Sequence, residues 1–67
     1  MKPGDLVKTY INAYTKVYAY QNIDSHKNTM VPPNTLGIII ECVEYQYRIC
    51  FPNIIGWVSD EVVSEIM

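Results

Sequence analysis

Four short blocks of β-branched and aromatic residues constrain this chain more than any other feature. They cover residues 4–7, 35–41, 47–51 and 56–58, and turn-forming residues precede three of them. β-Branched and aromatic residues favour strands, whereas glycine, proline and asparagine favour the tight turns between strands. The pattern therefore predicts a small, strongly bent all-β domain.

The pattern predicts five or six strands, at about residues 5–10, 13–20, 37–43, 47–51, 54–58 and 62–66. Residues 13–20 alternate with the period of a strand, and residues 37–43 look like the most buried one. Residues 21–29 are polar and predict a long exposed loop, residues 30–35 an extended segment, and residues 44–46 a hairpin connection. Ser59 is expected to cap a single 3₁₀ turn at residues 59–61. Twist and the glycine positions favour closing so small a sheet into a barrel.

Length and composition restrict the range of functions. The 67 residues form one domain, residues 1–67, with no room for a deep substrate cleft. Charged residues make up 18% of the chain, below the roughly 25% of typical globular domains. We therefore expect some apolar surface to be left for a partner to cover.

Charge and hydropathy argue against two classes of partner. The net charge is −2, and the five lysine and arginine residues are scattered along the chain. Binding to a phosphate backbone needs a concentrated positive field, so nucleic acid is disfavoured as the main partner. No stretch is apolar enough for a membrane span, and the N-terminus does not resemble a signal peptide. We expect a protein that is not secreted by a signal of its own.

The two cysteines allow two readings. Cys42 and Cys50 lie on two strands joined by a short connection, which would place them opposite each other. They could form a redox-sensitive disulfide across the strands, or they could be two small buried side chains with reduced thiols, which we favour.

No reactive group of residues can be assembled from the sequence. His26 is the only histidine, in the polar loop, and Asp60 and Glu61 read as a solvated turn. The sequence therefore predicts a protein that is not an enzyme and has no cofactor or metal.

An excess of aromatic residues is the one compositional signal of a binding function. The chain contains six tyrosines and one tryptophan. The candidate partner-binding residues are Tyr10, Tyr14, Tyr18, Tyr20, Tyr45 and Trp57. An exposed tyrosine face is a frequent recognition surface because each ring offers a large area at low entropic cost. In the alternative interpretation, the tyrosines fold over the mouth of the barrel and complete a minimal core.

The order of these motifs resembles the Src-homology-3-like small β-barrel family. The similar segments are Gly4–Asp5–Leu6–Val7, the long loop that ends in residues 32–37, residues 38–41, residues 47–51 and residues 56–61. The chain is also similar to short structural or accessory proteins of tailed bacteriophages. The resemblance covers residues 4–66 and implies five strands, a long first loop and a one-turn 3₁₀ helix before the last strand. Family members that bind proline-rich peptides use an acidic first loop, whereas this loop contains only Asp24.

Together these observations favour a structural or protein-binding module over an enzyme. The resemblance implies a phage setting, either in the virion or in the cytoplasm of the bacterial host, with a larger protein or assembly as partner. Two alternatives remain open at this point. One is a nucleic-acid-binding barrel of the ribosomal or elongation-factor type that uses Lys8, Lys16 and Arg48. The other is an inhibitor of a host enzyme.

Overall fold

The computed structural model describes residues 1–20 and 27–66, which form one antiparallel sheet. Its seven strands are β1 (Leu6–Thr9), β2 (Thr15–Tyr18), β3 (Asn28–Val31), β4 (Leu36–Val43), β5 (Gln46–Cys50), β6 (Ile55–Ser59) and β7 (Val63–Glu65). Their order in the sheet is β3-β2-β6-β5-β4-β1-β7. The described residues contain no helix. The predicted all-β class is confirmed.

The strand count of five or six was wrong, because β3 lies in the predicted loop and extended segment. Its residues pair in register with β2, from Thr15 opposite Val31 to Tyr18 opposite Asn28. Only Val31 of the four β3 residues is buried. The sequence assigned Asn28 and Thr29 to the loop and Met30 and Val31 to the extended segment, because an exposed edge strand with mixed polar and apolar residues shows no regular alternation. Asp24, His26 and the rest of residues 21–26 lie outside the described residues.

The predicted 3₁₀ turn before the last strand is not confirmed. Asp60 and Glu61 instead form a hydrogen-bonded turn between β6 and β7. The Ser59 hydroxyl accepts a bond from the Glu61 amide at 3.3 Å, and the Ser59 carbonyl accepts one from the Val62 amide at 3.2 Å. Ser59 therefore bonds the backbone that follows it, although no helix begins there.

One apolar cluster holds all seven strands together. It contains Val7, Val17, Val31, Ile39, Ile49, Val58 and Val63, one from each strand, together with Phe51. A flat sheet of seven strands would be roughly 29 Å wide, too wide for both edges to reach one cluster. The sheet therefore curls around its core.

Hydrogen bonds across the open side of the sheet support this curl. The buried Thr9 hydroxyl donates to the Pro32 carbonyl at 3.0 Å and accepts from the Thr35 amide at 2.9 Å. Thr9 ends β1 and Pro32 directly follows β3, which stands five positions away in the sheet. No pairing joins the edge strands β3 and β7 among the described residues, so the predicted barrel closure is not confirmed.

β4 is only half buried, contrary to the expectation that it would be the most buried strand. Gly37 and Ile39 face the core, whereas Leu36, Ile38 and Ile40 are exposed. An antiparallel sheet around a single core buries one face only. A run of consecutive apolar residues cannot reveal which face stays open.

Candidate functional site

Two tyrosines that are far apart in sequence form hydrogen bonds with the same turn, residues 60 and 61. The Tyr10 hydroxyl donates a hydrogen bond to the Glu61 carbonyl. The Tyr45 carbonyl accepts one from the Asp60 amide at 3.1 Å. Tyr10 follows β1 and Tyr45 lies between β4 and β5, so the curl of the sheet brings them together.

Tyr45 occupies the tightest connection of the sheet. Val43 pairs with Gln46, which leaves Glu44 and Tyr45 as a two-residue turn. Tyr45 has a φ of 67°, in the left-handed region where a bulky residue is uncommon. Its side chain is 73% exposed. The ring therefore projects from a short, well-defined turn into solvent.

Both the backbone carbonyl and the side-chain hydroxyl of Tyr10 form hydrogen bonds. Its carbonyl accepts a bond from the Asn34 amide at 2.8 Å. The preceding residue, Thr9, is buried and carries the two hydrogen bonds described above. The Tyr10 side chain is nevertheless 45% exposed. Its ring is thus positioned by the fold and still open to a partner.

The surroundings of these two rings are acidic. Glu44 precedes Tyr45, and Asp60 and Glu61 form the turn that bonds the Tyr10 hydroxyl and the Tyr45 backbone carbonyl. Partial burial raises the pKa of the nearby Tyr47 phenol, and the negative charge of Asp60 raises it further, as do Cys42 and Glu65. We call Tyr10, Glu44, Tyr45, Asp60 and Glu61 the tyrosine–acid surface.

Two cationic side chains are paired with carboxylates outside this surface. Lys2 Nζ lies 3.1 Å from Asp5 Oδ1, and the Lys2 amide also bonds the Asp5 carboxylate. These bonds lower the pKa of Asp5. Arg48 lies 3.7 Å from Glu41 across β4 and β5. The tyrosine–acid surface itself contains no cationic residue.

The remaining predicted site residues lie on or beside β2 and β6. Tyr14 and Tyr20 flank β2 and are exposed, whereas Tyr18 is half buried. Trp57 is opposite Tyr18 in register and is only 8% exposed. Trp57 is not part of the core cluster, because alternation along β6 turns it away from Val58. Trp57 therefore offers little surface to a partner.

The cysteines do not face each other as expected. Cys42 pairs with Tyr47 and Cys50 with Ile38, so the two thiols lie at different positions along the hairpin, and both are free. Cys42 packs against the core, but Cys50 is exposed, so the prediction of two buried cysteines was wrong for Cys50. The reason is alternation, which places Cys50 on the face opposite Ile49.

No group of side chains suited to a metal ion occurs among residues 1–20 and 27–66. Within the same residues, no helix is long and apolar enough to cross a membrane. Comparisons with family models, curated proteins and solved structures found no match to this chain.

Sequence reasoning identified the tyrosines of this surface but missed its acids. Asp60 and Glu61 read as a solvated turn, and nothing in their spacing from Tyr10 or Tyr45 indicated a contact. Their contacts with the Tyr10 hydroxyl and the Tyr45 carbonyl follow from the curl of the sheet. The charge cluster at residues 60–65 was the only available signal.

Proposed function

We propose that this chain is a non-enzymatic protein-binding module that docks through the tyrosine–acid surface. The observation that carries the proposal is the attachment of two exposed tyrosines, Tyr10 and Tyr45, to one acidic turn. A tyrosine side chain has few rotatable bonds and loses little conformational entropy when a partner covers it, and the hydroxyl bond already restrains the Tyr10 ring. Tyr14 and Tyr20, which flank β2, are also exposed.

The chemistry of the surface favours a partner that presents lysine or arginine side chains. The carboxylates of Glu44, Asp60 and Glu61 attract cations, and electrostatic complementarity selects partners and speeds association. A cation placed over a tyrosine face gains about 0.5–1 kcal/mol at an exposed site. The same carboxylates repel phosphate, which supports a protein partner over nucleic acid.

For the fold, we infer a Src-homology-3-like barrel in which the β2–β3 hairpin forms the long first loop. The support is the motif order in the sequence together with the curled antiparallel sheet. On the same resemblance we propose a tailed-phage setting. The protein would be a minor virion component, or an accessory protein in the host cytoplasm, that docks to a larger protein.

The proposal is tested by affinity capture from cells that contain the natural partner. Wild-type protein and the Tyr45→Ala variant are immobilised in equal amounts and washed at increasing salt. The matched control is Met30→Ala, which also truncates an exposed apolar side chain but on the β3 edge. We expect wild type and Met30→Ala to retain the same partner and Tyr45→Ala to lose it. Equal retention by all three proteins would refute the assignment of the surface.

A further inference from the structure

The outer face of the sheet carries a row of apolar side chains. Register places Leu6 opposite Ile38, Ile38 opposite Cys50, and Cys50 opposite Ile55, on the neighbouring strands β1, β4, β5 and β6. Side chains that are directly opposite on one face have Cβ atoms about 5 Å apart, so the row is continuous.

Two more residues of β4 widen this row. Leu36 and Ile40 lie on either side of Ile38 along the strand, and the bulge between Ile39 and Glu41 includes Ile40. The five aliphatic side chains are between 41% and 51% exposed, and Cys50 is also exposed. We call these six residues, Leu6, Leu36, Ile38, Ile40, Cys50 and Ile55, the apolar row. It shares no residue with the tyrosine–acid surface.

The area of the apolar row fits an interface between two copies of the chain. Covering all six half-exposed side chains on both copies would remove at most roughly 1,000 Å² of surface, which is the size of a weak, transient interface. Because the sheet curls around its core, its outer face is convex, so two copies would contact each other chiefly along the central strands β4 and β5. The area alone therefore allows a reversible dimer.

Two of the charges beside the apolar row are self-complementary, whereas a third, Lys8, lies opposite Leu36 at the β1 side of the row. Glu41 on β4 and Arg48 on β5 are opposite in register, 3.7 Å apart and each about half exposed. A two-fold axis that runs along the strands, midway between β4 and β5, exchanges the positions of these two strands. Arg48 of each copy then faces Glu41 of the second copy. The same operation brings Ile38 over Cys50 of the second copy.

We propose that the apolar row binds a second copy of this chain, face to face, about such an axis. The loose pair between Glu41 and Arg48 exchanges partners across the interface, so that two intermolecular ion pairs border a buried apolar strip. A partner of another kind would have to match both the apolar strip and the paired opposite charges. A second copy matches both by symmetry.

The first test is sedimentation equilibrium over micromolar to millimolar protein concentrations. We expect wild type to form dimers and Ile38→Lys to remain monomeric, because the substitution inserts a charge into the apolar strip. Ile11→Lys is the matched control, since Ile11 is exposed and outside the row. It should dimerise as wild type does. A monomeric wild type throughout, or an unchanged Ile38→Lys dimer, would overturn the proposal.

A charge exchange tests the arrangement without changing an apolar residue. Glu41→Arg gives a copy with a cation at both position 41 and position 48, and Arg48→Glu gives a copy with an anion at both positions. Each variant should dimerise at least about tenfold more weakly with itself than wild type does, since like charges then face each other. An equimolar mixture should form a heterodimer with affinity near that of wild type. If the mixture associates no better than the separate variants, the proposed two-fold axis is wrong.

Discussion

At the scale of single residues, Tyr45 combines a positive φ with the most exposed of the large hydrophobic side chains that the structure describes. A left-handed conformation costs a residue with a Cβ atom roughly 1–2 kcal/mol, and Asn, Asp or Gly would tolerate it better. Backbone outliers of this kind occur frequently at functional sites. The exposed ring on a strained backbone agrees with a role in binding.

The backbone cost at Tyr45 can be measured by comparing two substitutions. Tyr45→Gly and Tyr45→Ala both remove the ring, but only glycine adopts a φ of 67° without a steric penalty. We expect Tyr45→Gly to be more stable than Tyr45→Ala by roughly 1 kcal/mol in urea unfolding. Equal stability of the two variants, or a less stable glycine variant, would contradict the strain.

Tyr47 provides a prediction of pH dependence. Burial and the neighbouring negative charges raise its pKa above the ordinary value of 10.0. The folded state therefore holds the phenol proton more tightly than the unfolded state does. The stability that this difference contributes is fully present below pH 10 and is lost as the pH rises through the raised pKa.

We expect Tyr47→Phe to lose less stability than wild type between about pH 9 and pH 11, because the phenylalanine ring has no proton to release. The measurement is the urea midpoint as a function of pH. Tyr45→Phe removes the hydroxyl of an exposed ring and should follow the wild-type curve. A Tyr47→Phe curve parallel to that of wild type would show that this phenol does not control the alkaline limb.

At the scale of elements, the β2–β3 hairpin is the part most weakly connected to the sheet. β2 joins β6 through a single register pair, Tyr18 and Trp57, whereas β4 and β5 share five. The lack of a side chain at Gly56 permits the close approach of β2 to β6. A Cβ atom at this position would lie 2.5 Å from Val17 Cγ1 and 2.7 Å from the Tyr18 carbonyl oxygen. The second contact is with backbone, which cannot move without shifting β2.

Gly56→Ala should therefore loosen the hairpin before the rest of the sheet. We expect amide hydrogen exchange in β2 and β3 to speed up at least about tenfold, with much smaller changes in β4 and β5. Gly37→Ala is the comparison, because its Cβ would meet the core side chains of Ile49 and Phe51 at 2.6 and 2.9 Å. It should lower protection in all strands together. Uniform loss of protection in Gly56→Ala would show that the hairpin is not a separate unit.

The elements also show what sequence patterns can predict. Alternation correctly separated Thr15 and Val17, which are buried, from Tyr14 and Lys16, which are exposed. The pattern missed β3, since this short edge strand contributes only Val31 to the core and its other three residues are exposed. Local patterns record which side chains favour burial, but pairing with a distant strand and the choice of the open face depend on tertiary structure.

At the scale of the whole molecule, the curl of the sheet produces both the core and the tyrosine–acid surface. It brings β6 and β7 to either side of the Asp60–Glu61 turn, between Tyr10 and Tyr45. The sequence predicted an all-β domain with exposed tyrosines, and it could not predict this convergence. The relevant contacts join three segments that are far apart in the sequence, namely Tyr10 after β1, the turn at Tyr45 and the turn at Asp60–Glu61, and no short sequence motif reveals contacts between distant segments.

The central claim is tested most directly by a titration with a short peptide of alternating lysine and alanine, followed by amide chemical shifts of the labelled protein. We predict that the shift changes are concentrated at Tyr10, Glu44, Tyr45, Asp60 and Glu61 and become smaller at high salt. They should also be smaller in Tyr45→Ala, whose melting temperature should stay close to that of wild type. Shifts spread evenly over the sheet, or unchanged binding by Tyr45→Ala, would contradict the claim.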